Sequence, residues 1–223
     1  MMRLLYLLLF ILCAQGAAAQ SPSYVQAVEH ALANEDTTST LDTMLDAILE
    51  FERLAARYPE RWEAPYWAAH LYGQAARLED MDENDESLVH HDKAQAYYDQ
   101  AWKAWAALPE RTQIEEADFY ILQALLYSLR SSYVIRHGER DEARLLYALE
   151  QDYTIRAAIA NPNNPRLYMS RGIDLIRYES TREEGRRLLN EAIQKYADHP
   201  PVNPIAPSWG RGWIDFWLRR YAS

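Results

Sequence analysis

Apolar positions recur at helical spacing along nearly the whole chain, most clearly from 161 to 196. Asn161, Pro162, Asn163, Asn164 and Pro165 break whatever precedes them, because proline lacks an amide proton and restricts its neighbour. Asn164 suits the N-cap and Pro165 the first helical position. Leu167, Tyr168, Ile173, Leu175 and Ile176 then follow at helical rather than strand spacing. Gly172 interrupts this helix at a cost of about 1 kcal/mol against alanine. Its presence points to close approach by a neighbouring helix. Ser180 or Thr181 opens a second helix, with Glu183 and Glu184 in its first turn, where carboxylates suit the helix dipole. Leu188, Leu189, Ala192, Ile193 and Tyr196 form its buried stripe, and His199, Pro200 and Pro201 end it.

The same reading extends upstream. A short helix over 21–34 carries Tyr24, Val28 and Leu32 on one face. Ser39 with Asp42 forms an expected capping box for a helix over 41–58. A leading helix runs from Pro65 to about Asp80, followed by the acidic stretch Glu79–Glu86, read as a solvated loop. The partner helix spans 87–108. A long helix over 113–137 is apolar nearly all round, which suits a central position. Gly138 ends it, and 140–161 returns.

The last predicted helix starts at Ser208 and aligns Trp209, Trp213, Phe216, Trp217 and Tyr221. It reads as a cap over the final hairpin, because a terminal repeat otherwise exposes its apolar side. The alternative is a membrane-interface helix with Arg211, Arg219 and Arg220 facing headgroups.

The 161–196 unit resembles the tetratricopeptide repeat (TPR). Tyr168, Gly172 and Leu175 match its first helix, with Arg171 in the leucine slot, and Gly185, Leu189 and Ala192 match its second. Looser copies carry Tyr120, Ala124 and Tyr127, and Pro65, Ala69 and Tyr72. The small residues at 69, 124 and 172 lie 55 and 48 residues apart. The usual period is about 34, so these pairs are long. The wider layout is also similar to a group of secreted bacterial TPR-like proteins. It shares Phe51-Glu52-Arg53, Trp62 to Tyr66, the Asn161–Arg166 turn and Pro207 to Gly210. The resemblance implies an all-α fold: a TPR-like array of α-α helical hairpins, about three long pairs plus N-terminal and C-terminal capping helices. The expected organisation is a leader over 1–19, capping helices over 20–60, helix pairs over 61–198, and a proline-rich segment with a capping helix over 199–223.

Compartment follows from the start of the chain. Arg3, the apolar run from Leu4 to Cys13 and the small residues Ala17-Ala18-Ala19 read as a secretory signal cleaved near Ala19. The run is too short to span a membrane comfortably. Leu12 occupies the position where lipoprotein signals carry a small residue. Cleavage removes the only cysteine, so the mature chain forms no disulfide. It also takes the formal charge from -10 to -11, with 33 acidic against 22 basic residues. That balance argues against nonspecific nucleic-acid binding. Seven Trp and sixteen Tyr are read as filling the layers between helices.

Candidate chemistry is sparse. Asp80, Asp82 and Asn84 match the start of a calcium loop, but Asp85 replaces its glycine and His91 its closing glutamate. His90, His91 and Asp92 diverge around a helix and chelate one ion poorly. No serine-hydrolase elbow, zinc-protease motif, phosphate loop or dinucleotide fingerprint is present. The reading is therefore an exported TPR-like binding or scaffold protein of the bacterial cell envelope, periplasmic or secreted. It is not read as an enzyme, and no cofactor or metal is assigned. Its partner is expected to be a protein or peptide, not a nucleic acid, and the mature chain is expected to have no transmembrane span. The alternatives are a periplasmic small-ligand or metal-binding protein and a hydrolase on a helical array. In TPR arrays the leading helices line a concave groove. Carried over from Ala69, Ala124 and Gly172, its lining is Tyr66, His70, Gln74, Asp118, Ile121, Leu125, Arg166, Met169, Ile173 and Arg177. Tyr66, His70, Asp118, Arg166 and Arg177 are the residues that a core would not choose.

Overall fold

The computed structural model describes residues 22–35, 40–81 and 86–222. The signal segment, Ser39 and residues 82–85 of the acidic loop lie outside the described residues. Nine α-helices and no strand are found among the described residues: α1 (Pro22–Glu35), α2 (Leu41–Arg57), α3 (Glu63–Met81), α4 (Ser87–Ala106), α5 (Gln113–Arg136), α6 (Arg140–Ala160), α7 (Pro165–Ile176), α8 (Arg182–Asp198) and α9 (Arg211–Arg220). No described helix is long and apolar enough to cross a membrane.

Sequential helices pair as hairpins. The tightest pairs are α3 with α4, α5 with α6, and α7 with α8, while α9 returns to lie against α7 and α8. The all-α hairpin array expected from the periodicity is the fold. Its helix starts have local causes. Thr112 Oγ1 accepts from the Glu115 amide at 3.1 Å, and Glu115 Oε2 accepts from the Thr112 amide at 3.1 Å. This capping box satisfies two donors that the helix cannot use. At α2 the box is Thr40 with Thr43, one residue after the expected position. Asn164 caps α7 by accepting from the Arg166 amide at 3.0 Å, with Pro165 at the first turn.

Aromatic side chains fill the hairpin layers. Phe119 on α5 is fully buried, with ring centroids 5.3 Å from Trp62, Tyr66 and Trp105 and 5.5 Å from Trp102. The contacts with Tyr66 and Trp102 are edge-to-face, a geometry that adds to simple burial. At the α7–α8 crossing, two glycines let the backbones approach. A Cβ on Gly172 would meet Leu189 at 2.8 Å, so the close approach expected at this residue is present.

Two expectations are corrected. Glu79 and Asp80 are not part of a solvated loop. Both sit buried in α3, where Glu79 Oε2 lies 2.5 Å from His90 Nδ1 and Asp80 pairs with Arg136. The last helix begins at Arg211, not Ser208, because Gly210 has a left-handed φ of 107°. Trp209 therefore belongs to the connecting segment.

Candidate functional site

The segment from Ile205 to Gly210 lies across the face of the leading helices, and carbonyls tie it there. Trp67 Nε1 donates to Ile205 O at 3.1 Å. Arg166 donates through Nη2 to Pro207 O at 2.8 Å and through Nε to Trp209 O at 3.0 Å. Tyr196 Oη donates to Trp209 O at 2.9 Å. The third Arg166 bond runs from Nη1 to Asp118 Oδ1 at 2.9 Å, an oxygen that also accepts from Asn164 Nδ2 at 2.8 Å. Trp209 Nε1 donates to Tyr66 Oη, which donates to Asp118 O. The Trp209 ring lies 4.6 Å from the His70 ring, nearly parallel, and 4.5 Å from the Arg166 guanidinium.

This strap changes the meaning of the expected groove. Tyr66, His70 and Gln74 on α3, Asp118 and Ile121 on α5, and Arg166, Met169 and Ile173 on α7 are all buried. Leu125 is half-buried, and Arg177 alone of the set is exposed. The polar members were expected on an open surface because a core rarely selects them. Tyr66, Asp118 and Arg166 are inside because the chain supplies their partners, carbonyl oxygens and the Asp118 carboxylate, while His70 stacks on Trp209 and its Nδ1, like Gln74 Nε2, finds no hydrogen-bond partner among the described residues. Burial pushes the Asp118 carboxyl above its usual range, with Arg166 and Asn164 opposing the shift. Burial, aided by the Arg166 charge, lowers the His70 imidazole to about 3, so it is neutral at pH 7. The strap residues Ile205, Pro207 and Trp209 were missed as groove partners. Their signal was the pairing of Trp209 with a glycine that only a left-handed turn requires.

The helical metal candidates separate. His90 faces Glu79, His91 stands against the Tyr133 ring at 5.6 Å, and Asp92 pairs with Arg130 at 2.9 Å. No group of three metal-ligating side chains is found among the described residues.

An open edge remains where α9 meets α7 and α8. Trp217 and Tyr221 stack in parallel at 5.8 Å, and Phe216 stands edge-on to Trp217 at 5.6 Å. Arginines lie over these rings. The Arg177 guanidinium is 4.8 Å from Trp217, Arg182 is 5.5 Å from Tyr221, and Arg220 is 5.9 Å from Phe216. These three arginines form no ion pair among the described residues, unlike Arg187 and Arg211 nearby. Phe216 is 49% exposed and Tyr178 66%. An aromatic ring beside a guanidinium offers stacking and charge together.

One further acid is perturbed. Burial, with Asp174 nearby, pushes the Glu150 carboxyl up to about 7, while Ser128 opposes the shift. A carboxyl raised in the folded state favours the protonated form, so its contribution is best below the ordinary carboxylate range. It is lost as pH rises toward 7. Wild-type protein is therefore expected to melt progressively lower between pH 5 and pH 8, relative to Glu150→Gln. Parallel melting curves for the two proteins across that range would contradict this.

Neither a family model nor a curated protein matches the chain. Among solved structures, the HusA haemophore from Porphyromonas gingivalis is similar to it. The TM-score is 0.68, with 18% identity, covering 93% of this chain and 95% of that one. At this identity the likeness establishes a shared all-helical fold.

Proposed function

We propose that this chain is an exported, non-catalytic binding protein whose cargo is a flat, largely apolar ring system bearing carboxylates, of the tetrapyrrole type. The observation that carries the reading is the row of guanidinium groups over the aromatic rings at the α9 edge, of which Phe216 is exposed and Trp217 and Tyr221 are half-buried. A ring ligand stacks on the exposed Phe216, with Trp217 edge-on beside it. Its carboxylates take charge-assisted hydrogen bonds from Arg177 and Arg182, which form no ion pair among the described residues. The fold likeness to a haemophore supports this class of cargo, because haem has that shape and charge. Export rests on the leader, cleaved near Ala19, with the remainder forming one helical unit. The peptide-groove reading loses support, because the strap already covers Tyr66, His70, Asp118 and Arg166.

Titration of the mature protein with protoporphyrin IX, followed by tryptophan quenching and the porphyrin absorption band, tests the proposal. Saturable binding in the micromolar range is expected. Arg177→Ala with Arg182→Ala is expected to weaken it roughly tenfold or more in a protein that still melts cooperatively. The dimethyl ester, which lacks the carboxylates, is expected to bind similarly weakly to both proteins. A wild-type titration that fails to saturate, or an unchanged affinity in the double variant, overturns the proposal.

A further inference from the structure

Helix α9 caps the last hairpin with one face and leaves the other outward. Ile214 is fully buried, with Trp217, Leu218 and Tyr221 half-buried beside it. Successive residues turn about 100° around a helix, so Gly212, Phe216, Arg219 and Arg220 fall together on the opposite side. All four are exposed. Phe216 lies between the two arginines on this face. The third arginine of the helix, Arg211, is spent on Asp215 at 2.7 Å, whereas Arg219 and Arg220 form no ion pair among the described residues. Their place in the last turn suits the helix dipole. The dipole does not account for the exposed ring between them, nor for the charge around them.

Charge is divided unevenly along the chain. Residues 166–223, the last hairpin and its cap, hold ten Lys and Arg against seven Asp and Glu. Residues 20–165 hold twelve against twenty-six. One end of a strongly negative protein is therefore positive. An anionic surface repels most of the molecule and attracts this end, which orients the approach. A soluble polyanion would use the arginines alone. An exposed ring flanked by guanidinium groups on the outer face of a short helix fits a bilayer surface, where the ring enters the headgroup region and the cations meet phosphate. A single phenylalanine inserts shallowly, so such a contact depends on charge.

We infer that the outer face of α9 docks the protein on the surface of an anionic phospholipid bilayer, with Phe216 at the headgroups and Arg219 and Arg220 against phosphates. Phe216 is shared with the cargo edge. Arg219 is not, so a change there separates the two.

Co-sedimentation of the mature protein with sucrose-loaded vesicles tests the inference. Vesicles containing phosphatidylglycerol are expected to carry the protein down at low ionic strength and to release it as salt rises. Pure phosphatidylcholine vesicles are expected to leave it in solution. Arg219→Glu is expected to bind the anionic vesicles at least roughly tenfold more weakly while keeping its affinity for protoporphyrin IX. Gly212→Glu guards against a folding defect. A Cβ there meets nothing within 4 Å, and a carboxylate in the first turn suits the dipole, so this variant is expected to melt no lower than wild type and still to lose vesicle binding. No sedimentation with the anionic vesicles, equal sedimentation with phosphatidylcholine, or unchanged binding in both variants overturns the inference. So does equally tight binding of soluble polyphosphate, which offers charge without a bilayer. A wild-type protein that sediments with anionic vesicles but fails to bind protoporphyrin IX removes the cargo reading and leaves the docking face standing.

Discussion

Replacing Arg166 with alanine is expected to destabilise the protein by roughly 3–5 kcal/mol, the range for breaking a buried ion pair from one side. Arg166 is only 3% exposed, and its guanidinium holds Asp118, Pro207 O and Trp209 O together. The alanine leaves the Asp118 carboxylate buried without its cation. It also leaves Pro207 O without its donor, at about 1–3 kcal/mol for a group that water cannot reach, while Trp209 O keeps Tyr196 Oη. Removing both charges, as in Arg166→Met with Asp118→Leu, is expected to recover part of the loss and not all of it. Hydrophobic replacement cures the orphaned carboxylate but not the Pro207 carbonyl, and it removes the acceptor of Asn164 Nδ2. Urea denaturation of the three proteins measures this. A loss below about 1 kcal/mol in Arg166→Ala would mean that the strap does not depend on the buried arginine.

Gly185→Ala is expected to cost about 2–3 kcal/mol, although alanine is the better helix former by about 1 kcal/mol. A Cβ at this position would lie 2.5 Å from Ile176 N, 2.7 Å from Ile176 Cα and 2.9 Å from Gly172 O. These are backbone atoms, so no side-chain rotation relieves the contact. The α7–α8 crossing itself must open, and with it the platform on which α9 rests. Gly212 is the internal control. Nothing lies within 4 Å of a Cβ there, so Gly212→Ala is expected to raise stability by up to about 1 kcal/mol. Thermal melts showing both alanines stabilising would place the crossing elsewhere.

The helices were legible because their signals are local. Asn164-Pro165 and Thr112 mark starts through their own side chains, and the apolar stripes of α2 and α8 follow one period. Gly172 was also legible, since a glycine within a helix has a propensity cost that close packing explains. The strap was not, because its partners are backbone carbonyls. Pro207 O and Trp209 O carry no residue-specific signal, so no periodicity joins them to Arg166, some forty positions earlier. That also explains the groove. Tyr66, His70, Asp118 and Arg166 are unusual for a core, but the chain itself satisfies Tyr66, Asp118 and Arg166 and stacks His70 on Trp209. Asp80 shows the same effect at smaller scale. Within an acidic run it reads as solvated, yet Arg136 on another hairpin draws it inside. The cation-bearing edge at Trp217 was half legible. The aromatic stripe was visible, and the Arg177 and Arg182 that cover it come from other elements.

Indole NMR resolves the central claim most directly, because the chain has seven tryptophans at known depths. With protoporphyrin IX added to saturation, the ring current of a stacked porphyrin is expected to shift the Trp217 indole N–H most and Trp213 next. Trp62, Trp67 and Trp105, buried among α3, α4 and α5, are expected to stay in place. No indole shift at saturation, or the largest shifts at Trp62, Trp67 and Trp105, would contradict binding at the α9 edge.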